Sequence, residues 1–257
     1  MGVVVINTIL DIEGLTKDYT DKTGHMVHLL EDINLKINDE EFTAILAPTG
    51  AGKSSLLKII ANLEPLSSGK ITDNSKKKIF IPSELSSFPW LNVKENILFN
   101  IKDHDQVQDK LQNIINLVGL EGYKDHYPNN KSHGFRFRVA IARAIMNDAD
   151  LIIIDEPFTK MRDEIKNGIY LLLRKIQSDK KTSIVFGTSN MSEAIILSDK
   201  IFLMHKNPGK ILDSFRIKFI DPLRKNFGKS DEFTDYREQI VTFHTKIIPN
   251  RIVNISL

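Results

Sequence analysis

The sequence predicts an α/β fold, in which a largely parallel β-sheet is covered by helices. An apolar run at residues 42–46 has the length of a buried strand, and a glycine-containing loop and a helix-spaced apolar pattern over 54–63 follow it. The uninterrupted aliphatic run at 151–154 is typical of a strand buried on both faces. Shorter apolar runs at 184–186 and 201–204, with a helical pattern between them, predict two further strands.

The amino-acid composition is that of a globular protein and excludes several functional classes. The chain has 257 residues, of which 41% are apolar and 26% charged, the balance of an ordinary globular protein. Lysine and arginine number 35 against 33 acids, and this net charge of +2 argues against a dedicated nucleic-acid binder. The absence of cysteine excludes disulfides, thiolate zinc sites and cysteine nucleophiles.

Nothing in the sequence predicts a membrane span. No segment approaches the ~18 apolar residues that a spanning helix needs. The apolar start at 2–10 is short and runs directly into Asp11 and Glu13, so we expect a strand rather than a secretory signal. We therefore expect a cytoplasmic protein whose role at a membrane, if it has one, depends on a partner.

The remaining segments receive coarser predictions. Ile33, Leu35 and Ile37 alternate with polar residues and predict a strand, and residues 66–80 predict a turn and a strand pair with a basic hairpin tip at 76–78. Residues 92–147 are helical in pattern, with Gly119 as a possible helix cap. The last segment, 215–257, allows two helices and carries no obvious chemistry.

A phosphate-loop motif follows the first buried strand. The pattern G-x-x-x-x-G-K-[ST] is matched at its last three positions, and an alanine replaces its first glycine. Such a loop turns its backbone amides toward phosphate groups and opens a helix N-terminus, which favours an anion. The predicted phosphate-binding residues are Ala47, Pro48, Thr49, Gly50, Ala51, Gly52, Lys53, Ser54 and Ser55.

Two of these residues have individual roles in the motif. Lys53 would reach the β- and γ-phosphates, and the Ser54 hydroxyl would hold Mg²⁺. A purely structural glycine turn is the alternative. A dinucleotide fingerprint fits less well, because Ser55 stands where the third glycine of G-x-G-x-x-G would be.

Two acids end the buried strand at 151–154. The carboxyl ends of strands in open α/β sheets border the ligand site, so these acids are expected beside the phosphate loop. Asp155 would hold the metal ion, and Glu156 would polarise the attacking water. The alternative is an acidic turn after a core strand.

With both elements in place, the chain resembles the ATP-binding subunits of ABC transporters over nearly its whole length. Residues 88–97, Phe-Pro-Trp-Leu-Asn-Val-Lys-Glu-Asn-Ile, resemble the L-P-W-L-T-V-x-x-N-V segment of the importer branch for nitrate, sulfonates and taurine. Residues 204–211 resemble the P-G-R-I element of that branch, and residues 221–224 and 232–233 resemble its C-terminal tail.

The resemblance implies a P-loop NTPase core with an antiparallel β subdomain and a helical signature subdomain. It implies ATP and Mg²⁺ as cofactors and a head-to-tail dimer, either a homodimer or a heterodimer with a second ATPase subunit. It further implies transmembrane permease subunits as partners, a solute-binding protein acting indirectly, and a location on the inner face of the cell membrane. Tyr19 falls where the family stacks an aromatic ring on adenine; an ordinary strand tyrosine is the alternative.

The signature segment departs from the family pattern L-S-G-G-Q. The following helix, Arg138 to Ala144, is nearly verbatim, but the signature itself contains Ser132, His133 and Gly134. Ser132 and Gly134 would still face the phosphate of the partner's ATP. His133 brings a side chain where backbone should meet phosphate, although a protonated imidazole would attract the anion. Alternatively, this loop no longer touches nucleotide.

Three further positions depart from the family pattern. Ser83 falls where a glutamine contacts Mg²⁺ and the attacking water, and Arg162 falls where an acid is expected at the dimer interface. Ser189 takes the place of the switch histidine and is the third candidate catalytic residue beside Glu156 and Lys53; it can hydrogen-bond a phosphate oxygen but cannot place a full positive charge on the transition state. Residues 187–191 lack the final glycine of a nucleophile elbow. The binding residues are mostly present and the sensing residues are altered, which predicts either weak hydrolysis or a site used mainly for binding.

Three functional hypotheses follow. The chain is an ATPase that drives an importer, with Glu156 and Lys53 at its centre; or it is an inactive ATP-binding half that pairs with an intact paralogue; or it is a soluble ABC protein of repair or translation. The third usually has two ATP domains or a coiled coil, and neither is seen. We expect an ATPase domain at 1–215, a helical subdomain at about 83–147 within it, and a tail at 216–257.

Overall fold

The computed structural model describes residues 7–20, 23–84, 87–103, 105–129, 131–218 and 230–247. Both strands and helices occur throughout these residues, as predicted for an α/β fold, and they alternate one by one over residues 151–205. In chain order they are β1 (Thr8–Thr20), β2 (Met26–Asn38), β3 (Phe42–Leu46), α1 (Lys53–Ile60), β4 (Ser68–Asp73), β5 (Lys78–Ile81), α2 (Val93–Ile97), a 3₁₀ turn (Asp105–Val107), α3 (Gln108–Leu117), α4 (His133–Met146), β6 (Leu151–Asp155), α5 (Asp163–Lys180), β7 (Ser183–Thr188), α6 (Met191–Leu197), β8 (Lys200–His205), β9 (Lys210–Arg216) and α7 (Asp231–Ile247).

A six-stranded sheet forms the centre of the fold, in the order β5-β6-β7-β3-β8-β9. All neighbouring strands in it run parallel except β9, which pairs antiparallel with β8. Leu46 pairs with Thr188, and Asp155 pairs with Gly187. The carboxyl ends of β3, β6 and β7 therefore meet at one edge of the sheet, where the phosphate loop and the two acids begin.

A smaller antiparallel sheet has the order β2-β1-β4. Its predicted alternating residues, Ile33, Leu35 and Ile37, are all buried. They belong to a hydrophobic cluster that also contains residues of α1 and of the central sheet. One face of this sheet thus packs against the phosphate-loop helix and fixes its position.

Two helix ends between β5 and β6 have recognisable caps. Asn92 and Glu95 form a reciprocal capping box at the start of α2. At the end of α3, Gly119 has a φ of +68°, and the amides of Gly119 and Leu120 bond to the carbonyls of Asn116 and Ile115. This is the Schellman arrangement, so the predicted glycine cap is confirmed.

Some local predictions are wrong. Residues 66–80 contain two strands, but β4 joins the small sheet and β5 the central one, so they are not a pair and residues 76–78 are not a hairpin tip. Helix α1 ends at Ile60, and Leu63 is exposed rather than on its apolar face. The described part of the tail contains one helix, α7. Residues 2–6 and 221–224, on which predictions also fell, lie outside the described residues.

Candidate nucleotide-binding site

The phosphate loop connects β3 to α1 with two glycines in the left-handed region. Gly50 has a φ of +81° and Gly52 a φ of +91°, and a Cβ at Gly52 would lie 2.7 Å from Leu30 Cδ2. Ala47 has no such requirement: its φ is not positive, it is fully buried, and its amide donates to the Thr188 carbonyl at 3.2 Å. An alanine therefore fits at the first position of the motif without strain.

Lys53 is folded back across the loop. Its Nζ donates to the carbonyl oxygens of Ala47 at 2.9 Å and Pro48 at 3.2 Å, and lies 3.0 Å from Glu156 Oε1. The residue is only 5% exposed. The structure thus brings together the predicted phosphate-binding cation and the predicted catalytic acid. To bind a phosphate, the Lys53 ammonium group would exchange its present carbonyl and carboxylate partners for phosphate oxygens, with which it forms charge-assisted hydrogen bonds.

Ser54 and Asp155 form a second contact. The Ser54 hydroxyl donates to Asp155 Oδ1 at 3.0 Å, although 101 residues separate them in the chain. Burial raises the pKa of Asp155; the Ser54 hydrogen bond opposes this effect and the nearby Glu156 charge adds to it. A hydroxyl and a carboxylate are hard oxygen ligands of the kind that Mg²⁺ binds together with phosphate and water. The two residues therefore fit the predicted metal role.

Glu156 occupies a strained turn at the end of β6. Its φ is +43°, and its amide donates to the Gly187 carbonyl at 3.0 Å. Its other carboxylate oxygen accepts from the Thr159 hydroxyl at 3.3 Å, and its side chain is 21% exposed. The carboxylate thus contacts Lys53 and is still partly exposed to solvent, and its predicted role as the base that polarises water stays a prediction.

A buried acid behind Ser189 was missed by the sequence analysis. Glu193 Oε2 accepts from the Thr188 hydroxyl at 2.7 Å, and Oε1 lies 3.5 Å from Lys166 of α5. Burial raises the pKa of Glu193, while Thr188 and Lys166 lower it. This cluster fixes the turn that carries Ser189 and ties it to α5. The only sign of this buried acid in the sequence is that Glu193 lies among the apolar residues of α6.

Tyr19 lies at the end of β1, close to the first turn of α1. Its hydroxyl donates to the Glu64 carboxylate and lies 3.3 Å from Ser55 Oγ, and the residue is 40% exposed. An exposed aromatic ring next to the phosphate loop is consistent with the predicted stacking on a base.

The signature residues are turned toward their own chain. Ser132 caps α4 by accepting from the Phe135 amide at 3.3 Å. His133 is buried, and this burial lowers its pKa, helped by the charges of Arg136 and Lys160; Glu84 and a hydrogen bond with the Pro157 backbone act in the opposite direction. A Cβ on Gly134 would lie 2.7 Å from Ile165 Cγ2 of α5. The lowered pKa of His133 disfavours the protonated imidazole that could attract a partner's phosphate, and the role of this loop toward nucleotide stays a prediction.

Two other altered positions lie at the edges of the site. Ser83 is half-buried and lies two residues after the end of β5. Because Ile81 of β5 pairs with Ile154 of β6, Ser83 lies at the same end of the central sheet as Asp155 and Glu156. Arg162 is exposed and occupies the N-cap position of α5. Their predicted roles toward metal, water and a partner subunit stay predictions.

Taken together, strand β3, the glycine loop, helix α1 and the two acids at the carboxyl end of β6 define a P-loop nucleotide-binding protein. The described residues contain no helix long and apolar enough to cross a membrane. A family model described as ABC transporter matches residues 30–159. The chain belongs to the ABC transporter family, and within that family it is an ATP-binding subunit of the ABC ATPase type.

Individual relatives agree with this assignment. The chain is 36% identical over 240 residues to an aliphatic sulfonates import ATP-binding protein, SsuB, of Bacillus cereus, covering 90% of this chain and 94% of that one. It is 30% identical over 245 residues to the taurine import ATP-binding protein TauB of Pelagibacter ubique, covering 90% and 92%. Among solved structures, cbiO1 of Clostridium perfringens, part of the ABC transporter complex cbiONQ, has a TM-score of 0.71 at 25% identity, covering 94% and 100%. A cassette dimer in a post-hydrolysis state with ADP and phosphate has a TM-score of 0.72 at 24% identity, covering 82% and 100%.

Proposed function

We propose that this chain is the ATP-binding subunit of an ABC importer, which binds Mg-ATP at a dimer interface and couples it to the transport of a small solute by membrane partners. The contact of Lys53 with both the loop carbonyls and Glu156 carries the proposal. It joins the phosphate loop to the acid that directly follows β6 across 3.0 Å. The Ser54–Asp155 contact at 3.0 Å completes a cradle for a phosphate chain and a hard cation.

Each residue of the cradle has a defined role in this proposal. Loop amides and the N-terminus of α1 bind the phosphates, and Lys53 neutralises the charge that develops on the transferred group. Glu156 orients and polarises the attacking water. Ser54 and Asp155, with Ser83 nearby, would hold Mg²⁺, which when bound neutralises phosphate charge. Tyr19 would stack on the base.

Hydrolysis is weakened in this proposal. The family's sensing elements rely on a bare signature backbone and on a switch histidine, and this chain has His133 and Ser189 there. Because the His133 ring is buried against its own chain, the signature loop is poorly placed to offer a cation to a partner's ATP. Losing one such electrostatic contact typically costs ~10²–10³ in rate.

Membrane partners are proposed to dock on an aromatic surface after β5. Phe88 lies 5.6 Å from Trp90 and 4.3 Å from Phe99 between ring centroids. Trp90 is 70% exposed, which is unusual for so large an apolar side chain. The relatives named for sulfonate and taurine import suggest a small organic anion as the solute. The subunit would then sit on the inner face of the cell membrane, with a solute-binding protein acting through the permease.

The domain boundaries are also part of the proposal. Residues 1–215 would form the ATPase domain, about 83–147 its helical subdomain, and 216–257 the tail. Helices α2 to α4 lie within 83–147 and α7 lies within the tail, which supports these boundaries.

The decisive experiment is to measure Mg-ATP binding and hydrolysis in the same samples of purified chain. Glu156→Gln should retain ATP binding and lose any turnover that the native chain has. Glu164→Gln, an exposed acid in the first turn of α5, serves as the matched control and should behave like the native chain. A native chain that binds no ATP would refute the proposal.

A second candidate function is an ATP-binding half without activity of its own. The four altered positions, Ser83, His133, Arg162 and Ser189, favour it. Tight ATP binding without turnover, together with rapid turnover after addition of an intact paralogue, would support this candidate over an independently active ATPase.

A further inference from the structure

The ring of Tyr19 is held by three neighbours. The hydroxyl group donates to the Glu64 carboxylate and lies 3.3 Å from Ser55 Oγ. Lys17 Nζ lies 4.7 Å from the centroid of the ring and covers one of its faces. A tyrosine that merely ended a strand would need none of these contacts, since its hydroxyl could be satisfied by water.

Lys17 is itself firmly anchored. Its Nζ donates to the Pro65 carbonyl at 2.7 Å and lies 3.4 Å from Glu64 Oε1, and the residue is only 7% exposed. One carboxylate, that of Glu64, therefore serves both the ammonium group under the ring and the hydroxyl at its tip. With one face covered by Lys17, a planar ligand can stack only on the opposite face.

The cluster joins two parts of the molecule that are distant in sequence. Tyr19 is in β1, whereas Ser55 lies in the first turn of α1 and is the last of the predicted phosphate-binding residues. Glu64 follows the end of α1. The hydroxyl contacts therefore fix the ring relative to the helix that carries the phosphate loop, and not only relative to its own strand.

We propose that Glu64 and Ser55 are positioning residues that hold the Tyr19 ring at a fixed place relative to the phosphate loop, so that one nucleoside triphosphate engages both through its base and through its phosphates. The inference rests on the proposed function of the site. A ring that is fixed before binding avoids the entropic cost of ordering it at the moment of binding. The hydroxyl of Tyr19, and not only its ring, then contributes to nucleotide affinity.

The test compares a ligand that has a base with one that has none. Binding of Mg-ATP and of Mg-tripolyphosphate is measured by calorimetry on the full chain. Tyr19→Ala should weaken ATP binding about 10-fold or more through loss of stacking. Tyr19→Phe and Glu64→Ala should each weaken it about 5-fold. None of the three should change tripolyphosphate binding by more than about twofold.

Two further variants make the result specific. Glu64→Gln keeps an acceptor for the Tyr19 hydroxyl and should restore most of the affinity. The double variant Tyr19→Phe/Glu64→Ala should bind ATP about as weakly as Glu64→Ala alone, because the hydroxyl contact that Tyr19→Phe removes is already absent there. Asp11→Asn removes a surface ion pair with Lys36 on the neighbouring strand and should leave both ligands unaffected.

The outcomes separate this inference from the function it rests on. Native ATP affinity in Tyr19→Phe and Glu64→Ala would overturn the positioning role. Equal weakening of ATP and tripolyphosphate would also overturn it, because the effect would then arise in the phosphate loop. A native chain that binds neither ligand would refute the proposed function itself.

Discussion

The phosphate loop and the signature loop are both short segments at a helix N-terminus, but they make opposite use of their neighbours. In the phosphate loop, Lys53 and Ser54 point across the sheet edge to Glu156 and Asp155. In the signature loop, His133 and Gly134 pack against their own chain, on Pro157 and Ile165. In the phosphate loop, the polar groups can exchange their present partners for phosphate oxygens. In the signature loop, the side chain that departs from the family pattern, His133, is buried.

This difference separates the two halves of an ABC site: the phosphate-loop half is assembled within one chain, whereas the signature half acts on the ATP of a partner subunit. A nucleotide cradle assembled from one chain's own strands can remain complete when the loops that serve a partner subunit change. We therefore expect substitutions in the cradle to affect ATP binding and substitutions in the signature loop to affect stability.

The largest effect is expected at Lys53. Lys53→Met should weaken ATP binding at least about 100-fold, because several charge-assisted hydrogen bonds to phosphate are lost. Lys58→Met, on an exposed position of the same helix, is the matched control and should bind normally. Calorimetric titration with Mg-ATP measures both. Normal ATP affinity in Lys53→Met would contradict the binding role assigned to the phosphate loop.

His133→Gly should act mainly on folding. Removing the buried imidazole and placing glycine in the first turn of α4 should lower the free energy of unfolding by about 2 kcal/mol. ATP affinity of the isolated chain should not change. Urea denaturation with calorimetry tests both statements. If His133→Gly instead left stability intact and promoted ATP-dependent dimerisation, the ring would be facing a partner and not its own chain.

Ser189→His tests whether the altered switch limits hydrolysis. A cation restored at the end of β7 should raise the rate of ATP hydrolysis about 10-fold, less than the full electrostatic effect because the other altered positions remain. Ser192→His, on the adjoining turn of α6, controls for the added imidazole. An unchanged steady-state rate in Ser189→His would contradict the role assigned to this position.

The smallest effect is expected at Asp155, and it depends on pH. Because burial raises its pKa above the ordinary 3.8, the ionised carboxylate destabilises the nucleotide-free fold. This cost is absent below the unfolded pKa, grows as pH rises toward the folded pKa, and is complete above it. Asp155→Asn should therefore be about 1 kcal/mol more stable at pH 7 without nucleotide, and this gain should vanish near pH 3.5.

Thermal unfolding across pH measures the Asp155→Asn effect. Ser54→Ala is a useful companion variant, because it removes the hydrogen bond that offsets the burial of Asp155 and should be destabilising. A gain in stability that persisted unchanged at low pH would show that ionisation of Asp155 is not its cause.

Local features of the fold were predictable from sequence, whereas pairing between segments was not. The β3–loop–α1 unit, the buried β6 and the glycine cap at Gly119 all depend on residues close together in the chain. The assignment of β4 and β5 to different sheets depends on β1 and β6, which no local pattern reveals.

The same limit applies to the site. Motif spacing identified Lys53, Ser54, Asp155 and Glu156, because each belongs to a short segment with a recognisable chemistry. The inward orientation of His133 and the contacts of Glu193 and Glu64 arise only from packing. An isolated acid in an amphipathic sequence carries no sign of whether it will be buried.

The strand order of the central sheet has a consequence for biosynthesis. Strand β3 lies between β7 and β8, and both of these neighbours are encoded more than 130 residues after it. At about 5–20 residues per second, a ribosome needs roughly ten seconds to half a minute to deliver them. During that interval the fully buried residues of β3 have no strand partner. The nascent chain therefore exposes β3, the strand that leads into the phosphate loop, as an unpaired apolar segment of the kind that chaperones for extended chains bind.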